Sequence, residues 1–125
     1  MTREECVTAN GPPEKKRYNA GLELFEETRG QVRADFDEHD GKLNCLWISK
    51  GILVPTFRDL SLFDRASLDQ LRAEDPESCE FGPYEHLPRW GIIVGSLGKK
   101  KTKEGPLAII ASAERYKMLY GLGRV

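Results

Sequence analysis

Hydrophobic and polar residues alternate from about the twentieth position onward. In QVRADFD, Val32, Ala34 and Phe36 fall on one side and Arg33 and Asp35 on the other. A period of two is the mark of a half-buried strand. GLELFEE sets Leu22 and Leu24 on one face before it, and LNCLWI sets Leu43, Cys45 and Trp47 on one face after it. The short TRG segment and the Asp40-Gly41 pair supply tight turns, because glycine takes positive φ without strain. Residues 21–48 are therefore predicted to form a three-stranded antiparallel meander. GILVP adds a short fourth strand that Pro55 ends.

A period near 3.6 then takes over in SLFDRASLDQLRAEDP. Asp64 is placed to cap the first free amides, Phe63 and Leu68 to staple the first turn, Leu68 and Leu71 to face a core, and Pro76 to stop the helix. A helix over 64–74 is predicted. ESCEFGPYEHLPRW reads as a loop on account of Gly82, Pro83 and Pro88, and WGIIVGSL as an apolar strand. PLAIIAS suits a buried strand or, with Pro106 at a first helical position, a helix start. The reading adopted is a strand over 106–111 followed by a helix over 112–120, capped by Gly121. The first 17 residues lack periodicity and contain Gly11, Pro12 and Pro13, so they are read as a flexible arm. The expected fold is a single α+β domain over 18–125: an antiparallel sheet with a three- to four-stranded N-terminal meander, and two helices.

Composition adds limits. A length of 125 residues suffices for one core without disulfide or metal staples. No apolar run has the roughly 18 residues a membrane helix needs, and no membrane partner is expected. The N-terminus lacks the apolar core of a secretory signal, so the expected location is cytoplasmic. Three widely spaced cysteines, Cys6, Cys45 and Cys79, fit reduced thiols better than a disulfide framework.

Charge is divided along the chain. Residues 1–88 hold eleven basic and eighteen acidic groups, whereas 89–125 hold eight and two. An acidic stretch, Glu74 to Glu85, would suit either a solvated loop or a surface for a basic protein partner. The densest basic segment, GSLGKKKTKEGP, puts Lys99, Lys100, Lys101 and Lys103 close together, with Arg115 able to extend the patch if the fold brings it near. Clustered lysines neutralise phosphates and release counterions, which makes this segment the nucleic-acid candidate. The same lysines would also suit a solvated hairpin tip. The spacing of Gly95, Gly98 and Lys99 does not make a phosphate-binding P-loop. Gly95-Ser96-Leu97-Gly98 matches the GXXG of KH domains in letters but follows an apolar strand.

Lys100, Lys101 and Thr102, followed after three residues by Pro106 and then by Ile110 and Ala113, resemble the C-terminal part of RelE/HigB-like endoribonuclease toxins. The resemblance covers about 25 of the 125 residues and implies an RNA site beside the basic segment. Gly98 stands where that family usually has an aromatic residue, Ile109 where it has an acidic one, and the family's upstream strand pattern is not found.

The remaining chemistry is sparse. His39, in DEHDG, belongs to an Asp-Gly turn whose glycine is out of register for a calcium loop; no metal or other cofactor is expected. His86, Tyr84, Trp90 and Trp47 are the candidates for lining a small-ligand pocket. Cys79 has acidic neighbours that oppose a thiolate, and no Ser-His-Asp context is present. A binding or interaction protein without catalysis of its own is the leading expectation. A nucleic-acid-binding protein or toxin-like ribonuclease acting through residues 99–103 is the alternative, and a small-ligand domain with a pocket near Trp90 a second.

Overall fold

The computed structural model describes residues 1–117. Two antiparallel meanders join edge to edge into one eight-stranded sheet. The first runs through β1 (Lys15–Asn19), β2 (Leu24–Arg29), β3 (Val32–Asp37) and β4 (Leu43–Ser49). The connection that follows carries a small hairpin, β5 (Thr56–Phe57) and β6 (Leu60–Ser61), and then helix α2 (Arg65–Glu74). The second meander runs through β7 (Cys79–Phe81), β8 (Tyr84–Leu87), β9 (Ile92–Gly95) and β10 (Leu107–Ala111). Pairing of β10 with β4 closes the seam, Ile109 opposite Trp47 and Ala108 opposite Ile48. The α+β class and antiparallel sheet read from the sequence are those observed.

Alternation sends side chains to two faces. On one, Ile48, Ala108, Ile92, Val94 and Leu87 pack under Leu62, Leu68 and Leu71 of the α2 region. Ala34 and Phe36 continue this face beneath Cys6 of helix α1 (Arg3–Asn10). On the other, Cys45, Ile93, Ile109 and Ala111 pack against Tyr116 of the short helix α3 (Ala113–Tyr116). Asp64 caps α2 by accepting from the Ser67 N–H at 3.0 Å, as its position predicts. Among the described residues no helix is long and apolar enough to cross a membrane.

Several local expectations differ. Residues 3–10 are helical rather than without structure, because Thr2 and Glu5 form a reciprocal capping box, each accepting from the other's backbone N–H at 3.2 Å. Residues 15–17 belong to edge strand β1. GILVP forms no strand: the Gln31 side chain takes both the Leu53 N–H and carbonyl, at 3.0 and 2.7 Å, and β10 occupies the place beside β4. ESCEFGPYEHLPRW is not a loop but the β7–β8 hairpin, turned at Gly82 with φ 58° and followed by a 3-10 turn over Pro88–Trp90. Leu43 does not share a face with Cys45 and Trp47. A bulge between the Asp35/Cys45 and Phe36/Leu43 pairs leaves Asn44 unmatched and turns Leu43 toward Phe36. Asp35, expected outward, is 1% exposed, because this sheet is covered on both faces. The strand predicted over 106–111 is β10. Helix 112–120 begins as predicted at Ser112, whose hydroxyl caps the Arg115 N–H; positions 118–120 and Gly121 lie outside the described residues.

Candidate nucleic-acid interface

Arg65 and Arg72 stand seven residues apart on α2. Two helical turns return the chain to the same side, so both reach down toward the sheet from the edge of the Leu68/Leu71 stripe. What they meet is Glu85 on β8, 3% exposed. Glu85 Oε1 accepts from Arg65 Nη2 at 2.6 Å and from Arg72 Nη1 at 2.7 Å, and its Oε2 accepts from Arg65 Nη1 at 2.7 Å. Burial pushes the Glu85 carboxyl upward, but the hydrogen bonds and charges of Arg65 and Arg72 outweigh it and hold the group below its ordinary range. Asp69 and Glu80 take further bonds from the two arginines. Arg72 commits only Nη1, leaving its Nε and Nη2 uncommitted among the described residues.

The β9–β10 connection forms the opposite wall. Its neck is fixed at Ser96, which is buried and adopts φ 66°, a left-handed conformation unusual for serine. The Thr102 N–H donates to Ser96 Oγ at 2.8 Å, and Thr102 Oγ1 donates to the Gly105 carbonyl at 3.3 Å. Beyond this brace the loop turns back over β8, and a Cβ on Gly98 would stand 3.8 Å from Glu85 Oε2. Lys99 and Lys100 thus line one basin of about 790 Å³ with Arg65, Arg72, Asp69, Glu80 and Glu85. Four cations face three carboxylates there, so the surplus charge comes from the lysines. Lys101 and Lys103 continue along the exposed loop.

The other predicted residues lie elsewhere. Arg115 is 5% exposed on α3, across the sheet from the lysines, and does not extend their patch. The pocket candidates divide between the two faces. Trp90 packs with the α2 cluster, 5.2 Å from the Phe57 ring. Trp47 and Tyr84 pack on the α3 side, and there His86 Nδ1 lies 3.0 Å from the Tyr116 hydroxyl. Trp47 donates its Nε1–H to Asp35 Oδ2 at 2.8 Å and lies under the Arg33 guanidinium. Among the described residues, the sheet separates Trp90 from the other three. The acidic stretch is largely engaged internally: Glu74 pairs with Arg58, Asp75 accepts from the Glu77 and Arg89 N–H groups, and Glu80 and Glu85 hold Arg72.

His39 Nε2 lies 2.7 Å from Glu23 Oε2, with Glu38 close enough that the three groups' ligand atoms fall within 4.8 Å of one another. All three are exposed. Asp37 Oδ1 accepts from the His39 and Asp40 N–H groups, so the acids build the turn itself.

Sequence reasoning missed Arg65, Arg72 and Glu85 as site residues. The seven-residue spacing of the arginines was a visible signal; Glu85 was not, since it depended on recognising β8 as a strand. No family model matches the chain, and no curated protein and no solved structure matches it.

Proposed function

We propose that this protein is a binding module without catalysis of its own, and that it holds single-stranded nucleic acid by its phosphates in the basin between α2 and the β9–β10 loop. One observation carries the reading: a loop braced at Ser96 and Thr102 sets Lys99 and Lys100 opposite two arginines already ordered on Glu85. Pre-ordered cations lose less entropy on binding than mobile ones, so the arrangement favours phosphate contact. The basin's buried carboxylate is engaged by two guanidiniums, which supports holding a strand rather than abstracting a proton from it.

Fluorescence anisotropy with labelled single-stranded RNA and duplex DNA across a salt series tests this. We compare the wild type with the variant in which Lys99, Lys100, Lys101 and Lys103 are all alanine. Log K for the single strand falls with log salt by about 0.7 per phosphate contact, and the variant loses most of that slope. Absence of wild-type binding at low salt, or an unchanged slope in the variant, overturns the reading.

A further inference from the structure

Arg115 of α3 lies at the end of the sheet where β3 turns into β4 and β10 runs out, and it is 5% exposed. Among the described residues its guanidinium makes no hydrogen bond and no ion pair, and its Nε is shut away from the surface without an acceptor. Burying a charge is costly unless it is paired, and native chains keep few such groups. The neighbouring Cys45 thiol is pushed up to about 12, chiefly by burial, so it stays neutral and supplies no counter-charge.

A second polar group is in the same condition. The β4 bulge turns Asn44 out of the ladder, and its Oδ1 is buried with no donor. Asn44 also fixes Arg115 in place: its carbonyl accepts from the Ser112 N–H at 2.8 Å, and the Ser112 hydroxyl caps the Arg115 N–H at 3.2 Å. All three residues line one cavity of about 300 Å³. An unmatched cation and an unmatched acceptor thus share one small space.

The rim sets the rest of the ligand's charge. Glu23, Asp37, Asp40 and Glu114 bring four carboxylates, against which stand only Lys42 and Arg115. A simple anion such as phosphate would meet Arg115 but be repelled by these acids. The complementary molecule carries one anionic group for the guanidinium and a surplus of cationic groups for Asn44 Oδ1 and the rim. We propose that the cavity binds a free basic α-amino acid, its carboxylate on Arg115, its α-ammonium on Asn44 Oδ1 and its side-chain cation among the rim acids. Guanidinium and carboxylate pair by two parallel bonds, which fixes the orientation. The volume stands at the small end of ligand sites and suits one amino acid rather than a peptide. This site lies across the sheet from the basin at α2, and neither depends on the other.

Isothermal titration calorimetry of the full chain with L-lysine is the test. One saturable site is expected. Cadaverine, which lacks the carboxylate, binds at least about tenfold more weakly, as does 6-aminohexanoate, which lacks the α-ammonium. Arg115→Met removes the charge, abolishes L-lysine binding and raises the denaturation midpoint of the unliganded protein, because an unpaired buried charge is gone. Glu114→Lys, at an exposed position, weakens L-lysine several-fold, with circular dichroism verifying the fold. No saturable heat from the wild type overturns the proposal and leaves a water bridging Arg115 and Asn44 as the occupant. Equal affinity for cadaverine, or wild-type affinity in Arg115→Met, overturns the carboxylate assignment, and equal affinity for 6-aminohexanoate overturns that of Asn44. A lowered midpoint in Arg115→Met marks a purely structural arginine and overturns the site. Wild-type affinity in folded Glu114→Lys overturns the basic side chain.

Discussion

The backbone N–H of Thr102 donates to Ser96 Oγ at 2.8 Å, and the two hydroxyl oxygens lie 2.8 Å apart. This pair closes the neck of the lysine loop and stands where β9 ends. A buried serine in the left-handed region persists only when its surroundings hold it there. Ser96→Ala keeps the backbone strain and removes the bond, so about 1–2 kcal/mol of stability is lost. Trypsin cleavage after the loop lysines accelerates relative to the wild type. Unchanged cleavage in the variant refutes the brace.

Glu85 links α2 to β8 and makes stability depend on acid. Its folded pKa lies below the usual 4.5, so it stabilises the fold above that value, and the stabilisation is lost as pH falls through the lower folded pKa. Glu85→Gln leaves two guanidiniums without their shared carboxylate. Arg65 and Arg72 are partly solvated, so the cost at neutral pH is about 2 kcal/mol. Urea denaturation at neutral pH and below 4.5 checks both points: the difference between variant and wild type narrows in acid.

Asp35 behaves in the opposite sense. Burial raises its carboxyl above 3.8, although Arg33 and the Trp47 N–H pull it down. A raised folded pKa means that ionisation works against the fold, so its contribution is fully present below 3.8 and is lost as pH rises through the folded value. Asp35→Asn keeps an acceptor for Trp47 Nε1 and changes stability by less than about 1 kcal/mol at neutral pH. It removes this component of the pH dependence, so the variant loses more stability than the wild type on acidification. Parallel pH profiles would refute the assignment.

The three cysteines differ in reactivity. Burial pushes the Cys45 thiol up to about 12, and Asp35 adds to the rise. Cys6 is buried on the inner face of α1 against Ala34 and Phe36, whereas Cys79 is half-buried. Only the thiolate attacks alkylating agents. Mass spectrometry after brief iodoacetamide treatment of the folded protein finds Cys79 modified first and Cys45 last, and unfolding in urea removes the order.

Gly91 follows the 3-10 turn at φ 67°, and its carbonyl accepts from the Ala111 N–H at 2.8 Å. A Cβ there would strike the Ala111 carbonyl. Gly91→Ala forces β9 and β10 apart at the centre of the sheet and lowers stability by about 2 kcal/mol or more, measured as a fall in denaturation midpoint.

Local pattern carried much of this fold. Strand β3 and helix α2 were legible because each satisfies a single period, and Asp64 and Pro76 bound the helix by short-range chemistry. The β7–β8 hairpin was not, since Gly82 and Pro83 resemble any loop until Tyr84, His86 and Leu87 find β9 as partner. The Thr2–Glu5 box was legible in principle, four residues being enough to write it.

Half of the candidate site was visible in the chain, as four crowded lysines. Their neighbours were not, because Arg65 and Glu85 are twenty residues apart and meet only when α2 folds back over β8. Arg115 shows the converse: near the lysines in sequence, it is carried across the sheet by β10. By itself, then, the sequence determined the periods, the caps and the turns, all of which depend on residues a few positions apart. Tertiary structure decided which strands are neighbours, where the Leu43 bulge turns a side chain over, and which charges share a basin. Those outcomes depend on burying both faces of one sheet at once, a condition that no short segment can express.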